Sequence, residues 1–232
     1  INDKQKESHF TISGVKSKWE DEIKKLRFSY QLDTQDFLIF KKYFFVLHHK
    51  ACNKLNLSFR GNIEYFDLDA IDSTNPKILE QNNELNYPTC FASDRYHLAI
   101  GVGGKNFRSK IFIYNEFLIL IKIIDVDYGL KSPPSGLLFH EDKLIVSFYK
   151  SNSIKIFNKK NDFKIESSLY DINFKNPLSL SLFNEKVYIS SHIGSKLIEL
   201  NLKNKEISYI NSELIRNPWG LFTLKNQLII IN

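Results

Sequence analysis

Methionine is absent from this 232-residue chain, and cysteine, tryptophan, proline and glycine are scarce, at two, two, six and nine residues. Each shortage excludes something. The two cysteines, Cys52 and Cys90, lie 38 positions apart with no CxxC and no Cys/His ligand spacing, which argues against a structural zinc site. A disulfide framework is equally unsupported. No stretch reaches the roughly 20 apolar residues of a membrane helix; the longest, FLILIKII at 117–124, is strand-sized and broken by Lys122. There is no signal-peptide pattern, so the chain reads as soluble, with no targeting segment and no legible compartment. It begins at Ile1 without Met, which is compatible with a trimmed N-terminus. GxSxG, HExxH and P-loop patterns are missing too. With so little Gly and Pro, Asn and Asp are expected to supply many turns.

What is present is ordinary in bulk and distinctive in order. A hydrophobic content of 43% and a charged content of 25% are those of a globular protein. The length suits one large all-β domain or two small ones. The 19 Phe and 11 Tyr lean the chain toward strand. A net charge of +6 permits an acidic partner, although a general abundance of Lys, Asn and Ile gives the same excess.

Apolar runs recur in a fixed order. KYFFVLHH, YHLAIGVG, DKLIVSFY, EKVYISSH and NQLIIIN align on Phe44, Leu98, Leu144, Val187 and Leu228, spaced 54, 46, 43 and 41 residues apart. A shorter run precedes each of them (DFLIF, TCFAS, GLLF, LSLSLF, WGLF), introduced in four cases by Pro88, Pro134, Pro177 or Pro218. Two more runs follow in every complete unit. Four short strands at a period of about 40 to 50 residues predict an all-β chain built as a β-propeller. A β-sandwich also has many short strands, but it gives no reason for four-strand units with a Pro-led first member. The last unit, NPWGLFTLKNQLIIIN, stops after two strands. SHFTISG (8–14) and KKLRFSYQL (24–32) are the available complements, with SKWEDEIKK between them as a short helical turn. The reading is one domain over 1–232, with closing strands in 1–34. Blades fall at about 35–80, 88–130, 134–175 and 177–216, and a fifth joins 218–232 to the N-terminus. The alternative is a fragment of a six- or seven-bladed propeller.

The phrases PSGLLFHEDKLIVSFYKSNSIKIFN and PLSLSLFNEKVYISSHIGSKLIELNL resemble the NHL- and YVTN-type propeller repeats, over about residues 35–232. The resemblance implies fold far more than activity. It implies a channel lined by first strands, and one face formed by the loops from strand 2 to 3 and from strand 4 to 1. The 2–3 segments hold Lys50, Lys54, Arg60, Lys105, Arg108, Lys110, Lys150 and Lys196 and no acid. The 4–1 segments hold six acids against three bases, so most of the net charge falls on this face. Phe59, Phe107, Tyr149 and Trp219 interleave with it. Cations attract anions and aromatic faces stack. The candidate ligand-binding set is therefore His49, Arg60, Arg108, Lys110, Lys150, His192, Arg216 and Trp219. Its partner would be an acidic glycan, a polyanion such as nucleic acid, or an acidic protein surface, with no cofactor. A solvated lysine-rich rim over packed aromatics would leave the same pattern.

The enzyme alternative is a lactonase-like or other small-molecule hydrolase at the channel mouth, using Asp36, Asn217 and His49 or His192. Against it, the first-strand segments 37–40, 89–93, 136–139, 178–182 and 219–222 contain no Asp, Glu or His. His48 and His49, adjacent on a strand, point to opposite sides and do not chelate one metal together. His140 reads as a turn residue on the other face, and His97 as opening a strand with nothing nearby to recruit it. GVGGK (101–105) reads as a turn, and the sequon at Asn56 as a chance match.

Overall fold

The computed structural model describes residues 34–48, 63–67, 77–79, 88–104, 107–126, 132–224 and 226–232. The chain divides into two compact units, Ile1–Asp33 and Thr34–Asn232, and every described residue belongs to the second. The expectations for SHFTISG, SKWEDEIKK and KKLRFSYQL lie outside the described residues.

The described strands fall into four four-stranded antiparallel meanders and one pair. The first sheet is β1 (Thr34–Phe40), β2 (Tyr43–His48), β3 (Ile63–Asp67) and β4 (Lys77–Ile78). The second is β5 (Pro88–Ser93), β6 (His97–Gly104), β7 (Phe107–Asn115) and β8 (Leu120–Asp125). The third is β9 (Pro134–His140), β10 (Lys143–Phe148), β11 (Ser153–Asn158) and β12 (Lys164–Tyr170). The fourth is β13 (Pro177–Phe183), β14 (Lys186–Ser191), β15 (Lys196–Leu200) and β16 (Ile207–Ile210). The pair is β17 (Gly220–Leu224) and β18 (Gln227–Ile231). The repeating runs are thus successive strands of single sheets. First strands neighbour first strands: β5 lies between β1 and β9, and β13 between β9 and β17.

Both faces of each inner sheet are covered, which is why polar/apolar alternation is blurred in the second strands. One apolar cluster fills each seam. Phe40, Phe45 and Ile63 of the first sheet meet Phe91, Ile100 and Phe112 of the second. Ala99, Ile111 and Ile113 on the other side of that sheet meet Leu144, Val146 and Phe157 of the third. Ile145, Ile154 and Ile156 then meet Val187, Ile189 and Ile198, and Tyr188 and Leu197 meet Ile215 and Leu221. Each fully buried large side chain contributes about 1.5–3 kcal/mol of transfer free energy.

The first strands are less apolar than the sequence reading made them, because their hydroxyls join the seams. Ser135 Oγ donates to Pro177 O at 2.7 Å, and Ser147 Oγ of β10 donates to Leu178 O at 2.6 Å. One seam later Ser181 and Thr223 are 2.8 Å apart, and Thr223 donates to Leu182 O at 2.6 Å. Close approach goes with this. A Cβ on Gly136 would run into the Leu178 carbonyl and would lie 2.9 Å from Ser147 Oγ.

Pro88, Pro134 and Pro177 open β5, β9 and β13, the strand position at which a missing N–H is tolerated. An irregular register follows each, between Pro88 and Cys90, between Pro134 and Gly136, and between Pro177 and Leu180. The turns depart from expectation. Thirteen described non-glycine residues have positive φ, and only Asn152, Asp162, Asn176, Asn184 and Asn217 are Asn or Asp. Lys41, Glu141 and Lys205 are among the others, held by their hairpins at about 1–2 kcal/mol each. GVGGK is likewise no simple turn, since β6 runs through Gly104.

Candidate functional site

Two loops of different sequence fold alike. In DINFKNP (171–177) the Asp171 carboxylate accepts from Asn173 N, and Phe174 N donates to Asp171 O. In SELIRNP (212–218) Ser212 Oγ accepts from Leu214 N, and Ile215 N donates to Ser212 O. Each loop buries one anchor, Phe174 or Ile215, then exposes one cation, Lys175 or Arg216. Each ends on Asn-Pro with the asparagine left-handed, Asn176 at φ 61° and Asn217 at φ 47°. Asparagine tolerates that region because its short polar side chain can bond locally.

The turns joining second to third strands clasp these loops. Asn152 Oδ1 accepts from Asn176 N at 2.9 Å, and Ser195 Oγ accepts from Asn217 N at 3.2 Å. Ser191 Oγ donates to Phe174 O at 2.6 Å, and His192 N to Asn176 O at 3.1 Å. Further round, Ser132 Oγ accepts from the Lys150 and Ser151 amides. So the 2–3 and 4–1 loops do lie together, bonded in series along one side of the third and fourth sheets.

His192 and Trp219 meet across this clasp, with ring centroids 4.2 Å apart and an interplanar angle of 50°. His192 Nδ1 is 3.0 Å from Asn217 O. A carbonyl only accepts, so Nδ1 is the donor of this pair. The Trp219 side chain stays 61% exposed, while its main-chain N–H donates to Ile231 O at 2.8 Å. Arg216 is exposed as well; its Nε donates to Glu213 O at 3.1 Å, and its backbone N–H to Asn232 Oδ1 at 3.2 Å. Beside them Lys196 Nζ sits 4.6 Å from the centroid of the Tyr209 ring, whose hydroxyl donates to Asp171. That bond, reinforced by Asn173 N–H, holds Asp171 below its ordinary value, and burial together with Asp171 pushes Tyr209 well above its own.

His192, Arg216 and Trp219 of the candidate set are therefore brought together. Lys150 is exposed on the next turn, 5.5 Å from the centroid of the Tyr149 ring. Arg108 and Lys110 belong to strand β7 rather than to a long loop; Arg108 is exposed, and Lys110 stands opposite Asp125 in the β7–β8 register. His49 and Arg60 lie outside the described residues. For the enzyme reading, His192 and Asn217 converge, but through the Asn217 main-chain carbonyl, while its side-chain oxygen accepts from Ser195 Oγ at 3.1 Å. Asp36 lies on β1. Among the described residues no three His, Cys, Asp or Glu side chains gather as a metal site.

The opposite side holds a group that sequence reasoning missed. His97 is recruited after all: Asp94 Oδ1 accepts from Tyr96 N and His97 N, both at 2.8 Å, and lies 3.1 Å from His97 Nδ1. Lys159 Nζ reaches Asp94 Oδ2 from the third sheet at 2.6 Å. The His97 ring packs against Phe139 and Phe163. Burial on its own would raise the Asp94 carboxyl; the bond from Lys159, the two amides and the His97 charge outweigh it and hold the group below its ordinary value. The only signal was an Asp three residues before a strand-opening His. His140 closes β9 instead of occupying the turn. Lys155, on β11, is another surprise: it is 3% exposed, with Nζ 5.2 Å from the Phe148 ring centroid, and burial lowers its pKa.

No family model and no curated protein matches the sequence. Solved structures do. The WD40 repeats of RRP9 superpose with a TM-score of 0.65 at 12% identity, over 87% of this chain and 58% of that one. A chain of the nidogen/laminin complex gives 0.60 at 14%, over 78% and 64%. The glutaminyl cyclase of Myxococcus xanthus gives 0.52 at 13%, over 86% and 85%. WD40 repeats are propeller blades. The fold is of the β-propeller kind. The chain spans about three fifths of the first two proteins, and at these identities the likeness concerns architecture alone.

Proposed function

We propose that this propeller chain is a non-enzymatic binding scaffold. Its clasped 2–3 and 4–1 loops present fixed cations and an exposed aromatic to an anionic ligand or an acidic protein surface. The observation that carries the reading is the His192–Trp219–Arg216 group: a tryptophan 61% exposed and an exposed arginine, on a loop bonded to the neighbouring turn through Asn217. Rigid presentation of such side chains lowers the ordering cost of binding. Among the comparisons, one neighbour is a chain of a nidogen/laminin complex, a propeller-like fold found in a protein–protein assembly. The glutaminyl cyclase shows that the fold also hosts an enzyme, so the hydrolase alternative rests on whether Asp36 joins Asn217 and His49 or His192.

The architecture that goes with it is a single domain of five blades, the N-terminal runs 8–14 and 24–32 adding the outer strands beside β18.

The test is a binding screen of acidic peptides, heparin and oligonucleotides at low and high salt. Binding should weaken as salt rises, because exposed charge pairs are screened within about 10 Å at 0.1 M. Trp219→Ala and Arg216→Gln should each reduce it. Affinity indifferent to salt and to both substitutions would sink the proposal.

A further inference from the structure

The clasped loops expose more than charge. Three connections joined in series by hydrogen bonds lie along one side of the fourth sheet: loop 171–176, turn 192–195 and loop 211–219. They hold four large apolar side chains out in solvent: Ile172 is 81% exposed, Ile193 62%, Leu214 83% and Trp219 61%. Scattered single apolar residues on a surface are ordinary; these four stand on three connections bonded to one another.

The rigidity is built residue by residue. Leu214 lies between two fixed points, its N–H bonded to Ser212 Oγ at 3.2 Å and its carbonyl to Asn232 Nδ2 at 2.8 Å. The next residue, Ile215, is buried as the loop's anchor. Ile172 is held in the same way, between the Asp171 cap and the buried Phe174. Neither loop folds its exposed apolar side chain inward, although each has an apolar seam beneath it.

The surroundings are cationic. Lys175 and Arg216 occupy equivalent, exposed positions just before the two Asn-Pro steps, and Lys196 follows the turn that carries Ile193. Asp171, ionised and accepting from Tyr209, and the exposed Glu213 are the acids of these connections, so the three cations exceed them by one.

We infer that this surface docks an extended segment of a partner protein in which bulky apolar residues are interleaved with carboxylates. The inference rests on the binding-scaffold reading and narrows it. Aliphatic side chains such as Ile172, Ile193 and Leu214 offer nothing to a phosphate or a sulfated sugar, whereas they suit Leu or Phe side chains of a peptide. The cations fix the flanking acids, and Trp219 and Arg216 are residue types that carry most of the energy in protein interfaces. The docked segment would lie across connections already set in place, so little ordering is required of the protein.

The experiment uses the full chain and four labelled probes. They are a flexible Glu/Ser peptide carrying spaced Leu and Phe, its Gln/Ser counterpart with the same Leu and Phe, a Glu/Ser peptide without them, and heparin. The first should bind best, and Leu214→Ser, Ile193→Ser and Trp219→Ala should each weaken it about ten-fold. These side chains are exposed, so an unchanged melting temperature is expected and confirms that folding is intact. Arg216→Gln should weaken the first probe while leaving the Gln/Ser peptide unaffected. Should heparin or the purely acidic peptide bind as well as the first probe, with the apolar substitutions silent, the inference fails while the scaffold reading stands. Absence of binding by all four overturns both.

Discussion

Single residues in this chain are often fixed by what a neighbouring sheet brings to them. Gly136 is the clearest case. Its φ needs no glycine, but the β13 backbone passes so close that a methyl group would meet the Leu178 carbonyl. Gly136→Ala should destabilise the fold by about 1–3 kcal/mol, the usual cost of overpacking. Denaturant unfolding would measure it, and a midpoint equal to the parent's would show that the third and fourth sheets separate easily. Nothing in PPSGLLF distinguishes this glycine from a flexible one. Asn217 was visible as a strand-entrance polar residue, yet its work is different from a channel ligand's. It supplies a left-handed corner, its amide and side chain bond Ser195, and its carbonyl orients His192.

At the scale of elements, the hairpin turn after β5 is fastened to the third sheet through Asp94. Because its carboxyl is held below the ordinary 3.8, the charged form stabilises the fold. That contribution is complete above the unfolded value and disappears as pH falls through the lower folded value, so it belongs to the acid limb below about pH 4. Asp94→Asn should cost about 1–3 kcal/mol at neutral pH, since it leaves Lys159 without its carboxylate. The variant should also lose stability less steeply than the parent between neutral pH and the acid limb. Thermal melts across that range would check it; parallel curves would mean that the pair is indifferent to folding. Strand order and number within each unit were legible from the spaced apolar runs. The exact ends were not, because β6 and β7 continue nearly to each other where polarity and glycine suggested a loop, and that continuation moved Arg108 and Lys110 onto a strand.

For the whole molecule the question is how the last sheet is finished. Among the described residues β18 has only β17 as a bonded neighbour. If residues 8–14 and 24–32 supply the outer strands, a chain lacking residues 1–33 should melt lower and self-associate, because an unpaired edge recruits other chains. Sedimentation and melting of the shortened chain would show this, and unchanged behaviour would remove the N-terminus from the sheet. A concentration of bases in the 2–3 segments was readable from charge counts. Its combination with Ile172, Ile193, Leu214 and Trp219 was not, since these residues are scattered through the sequence and only their loops' mutual bonds assemble them.

Taken alone, the order of residues determined the repeating four-strand unit, because a strand buried on both faces needs an apolar run and a turn needs polar residues, and both are local demands. The tertiary structure decided which polar residues are committed and which are offered. Asp94, Ser135, Ser147 and Thr223 are drawn into seams between sheets, while Arg216 and Trp219 remain outside. That division depends on which backbone carbonyl or charge arrives from another part of the chain, and no local pattern encodes the arrival.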